Sequence, residues 1–559
     1  MLLSNLDLLA AAPGGAAKLR ELILTLAVQG KLVPQNPTDE PARVLLQKIR
    51  DERDRLIAER RIKKDKPLAA IENEEKLFDL PVGWEWVRLG DVTNYGAPVK
   101  AGIIYPDTWV LDMEDIEKSS GRILQRLRFA QRPAISDKNC FIAGEVLYGK
   151  LRPYLNKVLV ADEDGVCTTE IVPFRCYGDY VPQYFRLALS SPFFLEYVNA
   201  RSYGMKMPRL GTEDARKALL PLPPLAEQYR IVARVEELMR LCDALEAKGQ
   251  LEATQHTQLL STVLSSLTSS ATPEELASNW QRVAQHFDLL LDRPEAVDAL
   301  DKTILQLAVR GLLVPQDPAD EPASVLLQKI RTEKDRLIAA GQIKRDKPMP
   351  PIMDEDKPFK VPGGWEWVRV ADVCSVVTDG EHATPVRCED SSQVPLVTAK
   401  NVRSEVMDYS ITDYVPRAVA EQCWKRCKPQ EGDILMVSVG ATLGRLSILQ
   451  NAVDMVLVRS VTVLRPVHVG VDVSYLALHL MSSSTQAEIW ASVKQSAQPC
   501  LYLAKSAALK IVLPPLAEQS RIVTRVNELR GLCSDLRQRL AERQSVQERL
   551  AQALVQTAA

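Results

Sequence analysis

Leu26-Ala27-Val28-Gln29-Gly30-Lys31-Leu32-Val33-Pro34-Gln35 returns 281 positions later as Leu307-Ala308-Val309-Arg310-Gly311-Leu312-Leu313-Val314-Pro315-Gln316. The match extends from Leu19–Pro67 to Leu300–Pro348, with 34 of 49 residues identical and no gap. At the same offset, Gly83-Trp84-Glu85-Trp86-Val87-Arg88 recurs as Gly364-Trp365-Glu366-Trp367-Val368-Arg369. Pro223-Pro224-Leu225-Ala226-Glu227-Gln228 recurs 291 positions on, as Pro514-Pro515-Leu516-Ala517-Glu518-Gln519. Between these landmarks the two halves read very differently. A frame used twice around dissimilar inserts implies two different recognition surfaces on one scaffold.

The repeated parts carry helix signals. After each Pro pair, which cannot sit inside a helix and so fixes its start, Ile231, Val235, Leu238, Cys242 and Leu245 fall at 4-3-4-3 spacing, as do Ile522, Val526, Leu529, Cys533 and Leu536. A helix from Leu225 to Leu267 would be roughly 60 Å long at 1.5 Å per residue, with a bend or break expected at Gly249. Leu19–Val28 and Leu300–Val309 read as helices stopped by Gly30 and Gly311, and Pro41 and Pro322 open amphipathic stretches to Ile57 and Ile338. Segments 61–76 and 342–358 are charged, contain Pro and lack an apolar period, as linkers do.

The inserts read as strands: Lys157-Val158-Leu159-Val160 in one, Ser460-Val461-Thr462-Val463-Leu464 in the other. A faint common frame aligns Gly144-Glu145-Val146-Leu147 with Gly432-Asp433-Ile434-Leu435 and Val172–Arg175 with Thr462–Arg465, each followed by a helix holding Tyr184 or Tyr475. The expectation is one fold used twice with different loops.

The 559 residues exceed what one core usually supports, so several domains are expected. Seventy basic side chains against 72 acidic exclude a polybasic mode of binding polyanions, so nucleic-acid contact must be local. Ten cysteines without paired spacing, and a start lacking a basic n-region, favour a reducing cytoplasm. No apolar run reaches the ~18–20 residues of a membrane span.

Gly144-x-x-x-x-Gly149-Lys150 imitates a phosphate-binding loop, but Leu151, Arg152 and Pro153 follow where Ser or Thr and a helix are needed. The same string places Lys150, Arg152, Tyr154, Asn156 and Lys157 within eight positions, suited to phosphates and base edges; a solvated basic hairpin is the plain alternative. Arg201, Tyr203, Lys206 and Arg209 form a second cluster. In the other insert the candidates are Asp379, Glu381, His382 and Thr384, then Lys400, Asn401 and Arg403, and a polar turn of Gln495, Ser496 and Gln498. Asn and Gln can bond adenine, Arg or Lys guanine, and a carboxylate cytosine, while Asp379-Gly380-Glu381-His382 can equally be a plain turn. The inserts carry 17 basic against 15 acidic residues (93–217) and 12 against 13 (374–509). No metal set is expected, because the histidines are dispersed and Cys423-x-x-x-Cys427 lacks a second pair. No catalytic motif is present, and Trp84, Trp86, Trp365 and Trp367 read as anchors of the inserts to their helices.

In the run at 26–35, the Gly-Trp-Glu-Trp entries, the Pro-Pro-Leu-Ala-Glu-Gln exits, and the strings Leu147-Tyr148-Gly149-Lys150-Leu151-Arg152-Pro153-Tyr154 and Asp379-Gly380-Glu381-His382, the chain resembles the specificity subunit of type I restriction-modification systems over essentially its whole length. The resemblance implies a mixed α/β fold: two target-recognition α/β domains alternating with long antiparallel helical coiled-coil spacers, in a pseudo-twofold repeat. It divides the chain into a helical region (1–80), a first recognition domain (81–222), a central helical spacer (223–361), a second recognition domain (362–513) and a C-terminal helix (514–559). It implies a non-catalytic subunit that reads a bipartite double-stranded DNA site and docks two methyltransferase subunits and, through them, restriction subunits. No cofactor is expected in this chain; S-adenosylmethionine, ATP and magnesium would belong to the partners. The full helical repeat ahead of the first insert departs from the commonest layout. A pseudo-twofold arrangement would have the N- and C-terminal helical pieces together copy the central block. The rival reading is a coiled-coil scaffold whose inserts bind protein or carbohydrate.

Overall fold

The computed structural model describes residues 12, 14–64, 66–97, 99–133, 137–270, 272–345, 347–451, 453–493 and 498–558. The chain divides into two units, residues 1–252 with 544–559, and residues 253–543.

In the first unit, helix α1 (Gly15–Val28) ends where Gly30 takes a positive φ of 69°, and α2 (Ala42–Ala58) follows directly after Pro41. Gly30 is required twice over, since a Cβ there would also meet the Pro81 ring at 2.4 Å. Strand β1 (Glu85–Arg88) opens the insert, which holds β2 (Trp109–Leu111), β3 (Leu127–Arg128), β4 (Lys138–Phe141), β5 (Val146–Gly149), β6 (Val158–Val160), β7 (Gly165–Thr168) and β8 (Ile171–Phe174). Helix α3 (Pro182–Ser190), strand β9 (Leu219–Leu222) and helix α4 (Leu225–Thr268) come next. The second unit repeats the order: α5 (Pro294–Val309), α6 (Ala323–Ala339), β10 (Glu366–Arg369), β11 (Cys374–Asp379), β12 (Val394–Val397), β13 (Asp413–Val415), β14 (Ile434–Val437), β15 (Leu446–Ile448), β16 (Val456–Leu457), β17 (Val461–Pro466), α7 (Val473–Met481), β18 (Lys510–Leu513) and α8 (Leu516–Ala558).

The inserts are one topology twice. In each, a central strand lies between two antiparallel neighbours, β6-β5-β8 in the first and β15-β14-β17 in the second. Beside it a parallel pair, β2 with β7 or β12 with β16, carries an antiparallel third strand, β3 or β13. The copies differ at the edges. The first insert adds β4 against β7, whereas the second has helix Arg417–Trp424 after β13 and extends its sheet with β11 on β17. Each insert is closed by its own ends, because β1 pairs antiparallel with β9 (Glu85 opposite Leu222) and β10 with β18 (Glu366 opposite Leu513).

Helix α4 runs through Gly249 without a break; at 44 residues and about 1.5 Å per residue it measures about 66 Å along its path. One exposed glycine costs only ~1 kcal/mol, too little to break a helix whose seam residues Ile231, Val235 and Cys242 are buried against Leu19, Ile23 and Ala27 of α1. Ala551 of α8 belongs to that same core, with Leu554 and Val555 packed against it. The C-terminal end therefore completes the N-terminal block. In the second unit, Leu260, Leu264 and Leu267 from the end of α4 pack with Leu300 and Ile304 of α5 and Ile522, Val526, Cys533 and Leu540 of α8. There α8 runs antiparallel to α5: Arg530 pairs with Asp301 at 2.9 Å, Arg537 with Asp298 at 2.8 Å, and Arg543 donates to the Asp292 carbonyl at 3.0 Å. The charges across this seam are inverted between copies. In the first unit the short helix supplies the cation, Arg20, to Asp243 and Glu246 of α4 at 2.6 and 2.7 Å.

The three repeated motifs meet at one buried carboxylate per unit. Glu227, 1% exposed, accepts from Trp84 Nε1 at 2.9 Å and from Gln35 Nε2 at 2.8 Å; Glu518 accepts from Trp365 at 2.9 Å and from Gln316 at 2.6 Å. The next residue, Gln228 or Gln519, accepts the backbone N–H that opens the insert helix, from Val181 at 3.1 Å or Asp472 at 2.8 Å. Tyr184 and Tyr475 donate to the Pro221 and Val512 carbonyls in the closing strands. The anchor reading of Trp84 and Trp365 rests on these bonds. Trp86 and Trp367 instead pack on aromatic rings, Phe78 at 4.9 Å and Phe359 at 5.0 Å. The first linker is held as well: Arg88, 5% exposed, donates to the Ala69 and Ala70 carbonyls and pairs with Glu75 at 2.8 Å.

Candidate nucleic-acid interface

Two stretches far apart in the first insert form one surface. Lys150–Asn156 follows β5, and Tyr203–Leu210 meets it through a short backbone ladder: Arg152 N–H donates to the Pro208 carbonyl at 2.7 Å and Leu210 N–H to the Lys150 carbonyl at 3.0 Å. Tyr203 and Arg209 exchange both backbone bonds, turning Gly204–Met207 into an exposed tip. Arg152, Tyr154, Tyr203 and Lys206 are exposed there, with Lys150 half-buried beside them. Arg209 is partly spent on Glu170 at 3.1 Å.

Three predicted contacts of this insert lie elsewhere. Asn156 is buried and donates to the Ser190 carbonyl at 3.1 Å, so it fastens the loop from inside. Lys157 donates to the Met113 carbonyl at 2.7 Å, and desolvation pushes its ammonium below the usual lysine range. Arg201 lies over the Tyr197 ring in a groove shared with Glu75, Arg88 and Lys217, away from the ladder. Gly144 to Lys150 is a turn and the central strand β5, with no long helix following, so the phosphate-loop pattern has no geometry behind it.

The second insert has the same ladder: Gly440 N–H donates to the Pro499 carbonyl and Leu501 N–H to the Ser438 carbonyl, both at 2.9 Å. Arg152 and Asn156, with φ of 49° each, correspond to Gly440 and Gly444 at 102° and 82°. The counterpart of the Lys150 loop is therefore Ser438–Gly444, which the sequence reading missed because it carries neither lysine nor aromatic. The two glycines, spaced as Arg152 and Asn156 are, were the available signal.

Several predicted contacts of the second insert are internal. Asp379 is 9% exposed and forms an ion pair with Arg426, which also donates to the Gly380 carbonyl at 3.1 Å. His382 Nε2 lies 3.0 Å from both Asp379 and Arg426. Glu381 bonds to the sheet through its backbone, donating to Leu457 and accepting from Arg459. The Asp-Gly-Glu-His string is thus a turn wrapped on Arg426, with the His382 and Thr384 side chains outside. Asn401, 1% exposed, accepts from Thr398 N–H and donates to the Asp408 and Ile411 carbonyls; Asp115 holds the equivalent turn in the first insert, accepting from Asp112 N–H. Lys400 is exposed, 3.4 Å from Asp413, and Arg403 is half-buried, 3.2 Å from Asp408. Gln498 is exposed at the ladder, while Gln495 and Ser496 lie outside the described residues.

Among the described residues no group of three or more His, Cys, Asp or Glu side chains could hold a metal ion, and Cys423 and Cys427 are buried free thiols. No helix among them is long and apolar enough to cross a membrane.

The type I restriction modification DNA specificity domain matches residues 362–543. The type I restriction enzyme EcoAI specificity subunit of Escherichia coli is 34% identical over 580 residues, spanning 97% of this chain and 94% of that protein. The chain belongs to the type I specificity subunits. The EcoEI specificity subunit of Escherichia coli is also similar, at 35% identity over 97% of this chain and 94% of its own length. A crystal structure of an HsdS subunit from Thermoanaerobacter tengcongensis is 20% identical, covering 86% of this chain and 98% of that one with a TM-score of 0.40. Membership makes this chain the specificity subunit of a restriction-modification system, not one of its catalytic subunits.

Proposed function

We propose that this specificity subunit acts in a complex with DNA and other restriction-modification subunits, reading the two halves of a bipartite site with one insert each. The carrying observation is the closure of each insert by its own end strands on a repeated Trp–Glu–Gln clamp. Each insert is thereby a cassette whose entry and exit lie side by side on equivalent frames, while its ladder loops differ. The recognition modules correspond to residues 81–222 and 362–513, with helical regions 1–80, 223–361 and 514–559 between and around them. The first reads through Lys150, Arg152, Tyr154, Tyr203 and Lys206. The second reads through His382, Thr384, Lys400, Arg403, Gln498 and the Ser438–Gly444 loop.

Near-balanced inserts supply few phosphate contacts, so tight binding calls on partner surfaces. The helical regions dock two methyltransferase subunits and, through them, restriction subunits; S-adenosylmethionine, ATP and magnesium chemistry belongs to those partners. The test is a hybrid in which residues 81–222 are replaced by the corresponding cassette of a relative, coexpressed with the cognate methyltransferase and read by methylome sequencing. One half-site should change and the other persist. A motif unchanged, or changed in both halves, would overturn the assignment.

A further inference from the structure

A seam between the long helix and its insert is built differently in the two copies. In the second unit, Arg530 of α8 reaches the turn Val402–Met407 and pairs with Glu405 at 2.5 and 2.7 Å, while also holding Asp301 of α5 at 2.9 Å. One guanidinium thus ties together the long helix, the short helix and the recognition insert. Its fork geometry fixes angle as well as distance.

Glu405 sits at φ 65°, a conformation costly for a side chain with a Cβ. Its backbone N–H is fastened to the Leu446 carbonyl at 3.0 Å, so the turn is locked to β15 as well as to the helix. Of two candidate DNA contacts, Lys400 leads directly into this turn and Arg403 lies within it.

The first unit lacks the strap. Met239 occupies the position of Arg530 by the 291-residue offset, and the corresponding turn tip reads Lys118-Ser119-Ser120-Gly121, without a carboxylate. A cavity of about 810 Å³, lined among others by Arg20, Ser119, Ser120, Arg186 and Met239, occupies this seam.

We propose that Arg530 and Glu405 are positioning residues that fix the second recognition insert on its spacer helix, so that the reading of that half-site is tied to the exact distance between half-sites. The proposal rests on the bipartite reading above. The first insert, without a strap, follows its half-site more freely.

The experiment uses the full complex with its methyltransferase partners and measures methylation of duplexes carrying the native spacer or one lengthened or shortened by a base pair. Arg530→Met, which installs the residue of the first unit, and Glu405→Gln, which keeps shape but removes charge, should each lower the preference for the native spacer by about fivefold or more, with the native duplex methylated near the parent rate. The double variant should equal Arg530→Met, because Glu405 acts only through Arg530 and has nothing further to lose once that side chain is gone. Arg525→Met, which removes the exposed pair with Glu528 on the same helix, should change nothing. Parent-like spacer preference in both variants overturns the proposal. So does an equal loss on all duplexes, which would make the strap a general support of the complex. A parent complex indifferent to either half-site would instead defeat the bipartite reading.

Discussion

Replacing Trp84 by Phe removes one donor from a buried carboxylate and part of one ring from the junction of the three repeated motifs. The indole N–H donates at 2.9 Å to Glu227 Oε2, and the ring is 6% exposed. Losing a hydrogen bond to an ionised acceptor costs about 1.5–3 kcal/mol, and the unfilled volume adds about 1–2 kcal/mol. The expected penalty is about 2.5–5 kcal/mol in the first unit. Trp367→Phe supplies the contrast, because Trp367 Nε1 is buried without a hydrogen-bond partner among the described residues. Removing an unmet donor recovers desolvation that offsets the lost ring, and its cost should stay below about 1 kcal/mol. The assay is the urea dependence of hydrogen exchange in peptides covering residues 219–235 for the first variant and 510–526 for the second, each reporting its own unit. Equal penalties for the two substitutions would refute the reasoning, as would an additive Trp84→Phe/Glu227→Gln double variant, since residues sharing one contact must couple.

Burial raises the Glu227 and Glu518 carboxyls above the ordinary 4.5, against the opposing hydrogen bonds from Trp and Gln. The folded state then binds these protons more tightly than the unfolded chain. Their contribution is fully present below the ordinary value and is lost as pH rises through the raised one; urea midpoints of Glu227→Gln should show a shallower decline across that window. Asn401→Ala should destabilise the second insert by about 2–3 kcal/mol in thermal unfolding and weaken binding to all DNA sequences alike, whereas Thr384→Ala should leave stability unchanged. Gly249→Ala should stabilise α4 by about 0.5–1 kcal/mol, since a Cβ there meets nothing within 4 Å. Lys150→Ala should reduce the slope of log affinity against log salt by about 0.9 if that ammonium meets a phosphate; an unchanged slope would remove it from the interface.

The frame was legible because repetition exposes it: the helices, their starts after Pro-Pro, the stops at Gly30 and Gly311 and the shared strand pattern of the inserts all follow from local rules. That Gln35, Trp84 and Glu227 converge was not legible, because no periodicity relates residues 192 positions apart. The site divided along a chemical line. Exposed Arg152, Tyr154 and Lys400, and half-buried Lys150, lie where a basic or aromatic loop residue is expected. Asp379, Asn156 and Asn401 turned inward because short polar side chains that could read a base edge are equally suited to closing a turn. The Ser438–Gly444 loop escaped notice for the opposite reason, having backbone geometry but no conspicuous side chains.

The inverted charges along the helix seams bear on how such a chain sorts itself while folding. Two helical blocks this similar could exchange partners within one polypeptide, a recognised failure of repeat proteins. Wrong pairing would set Arg20 of α1 against Arg530 and Arg537 of α8, and Asp298 and Asp301 of α5 against Asp243 and Glu246 of α4. Each correct surface pair contributes only about 0–1 kcal/mol. A swap, however, loses every attraction and gains repulsions in their place, so discrimination grows faster than stability. Near-identical apolar seams can then coexist in one molecule because their borders carry opposite electrical signatures.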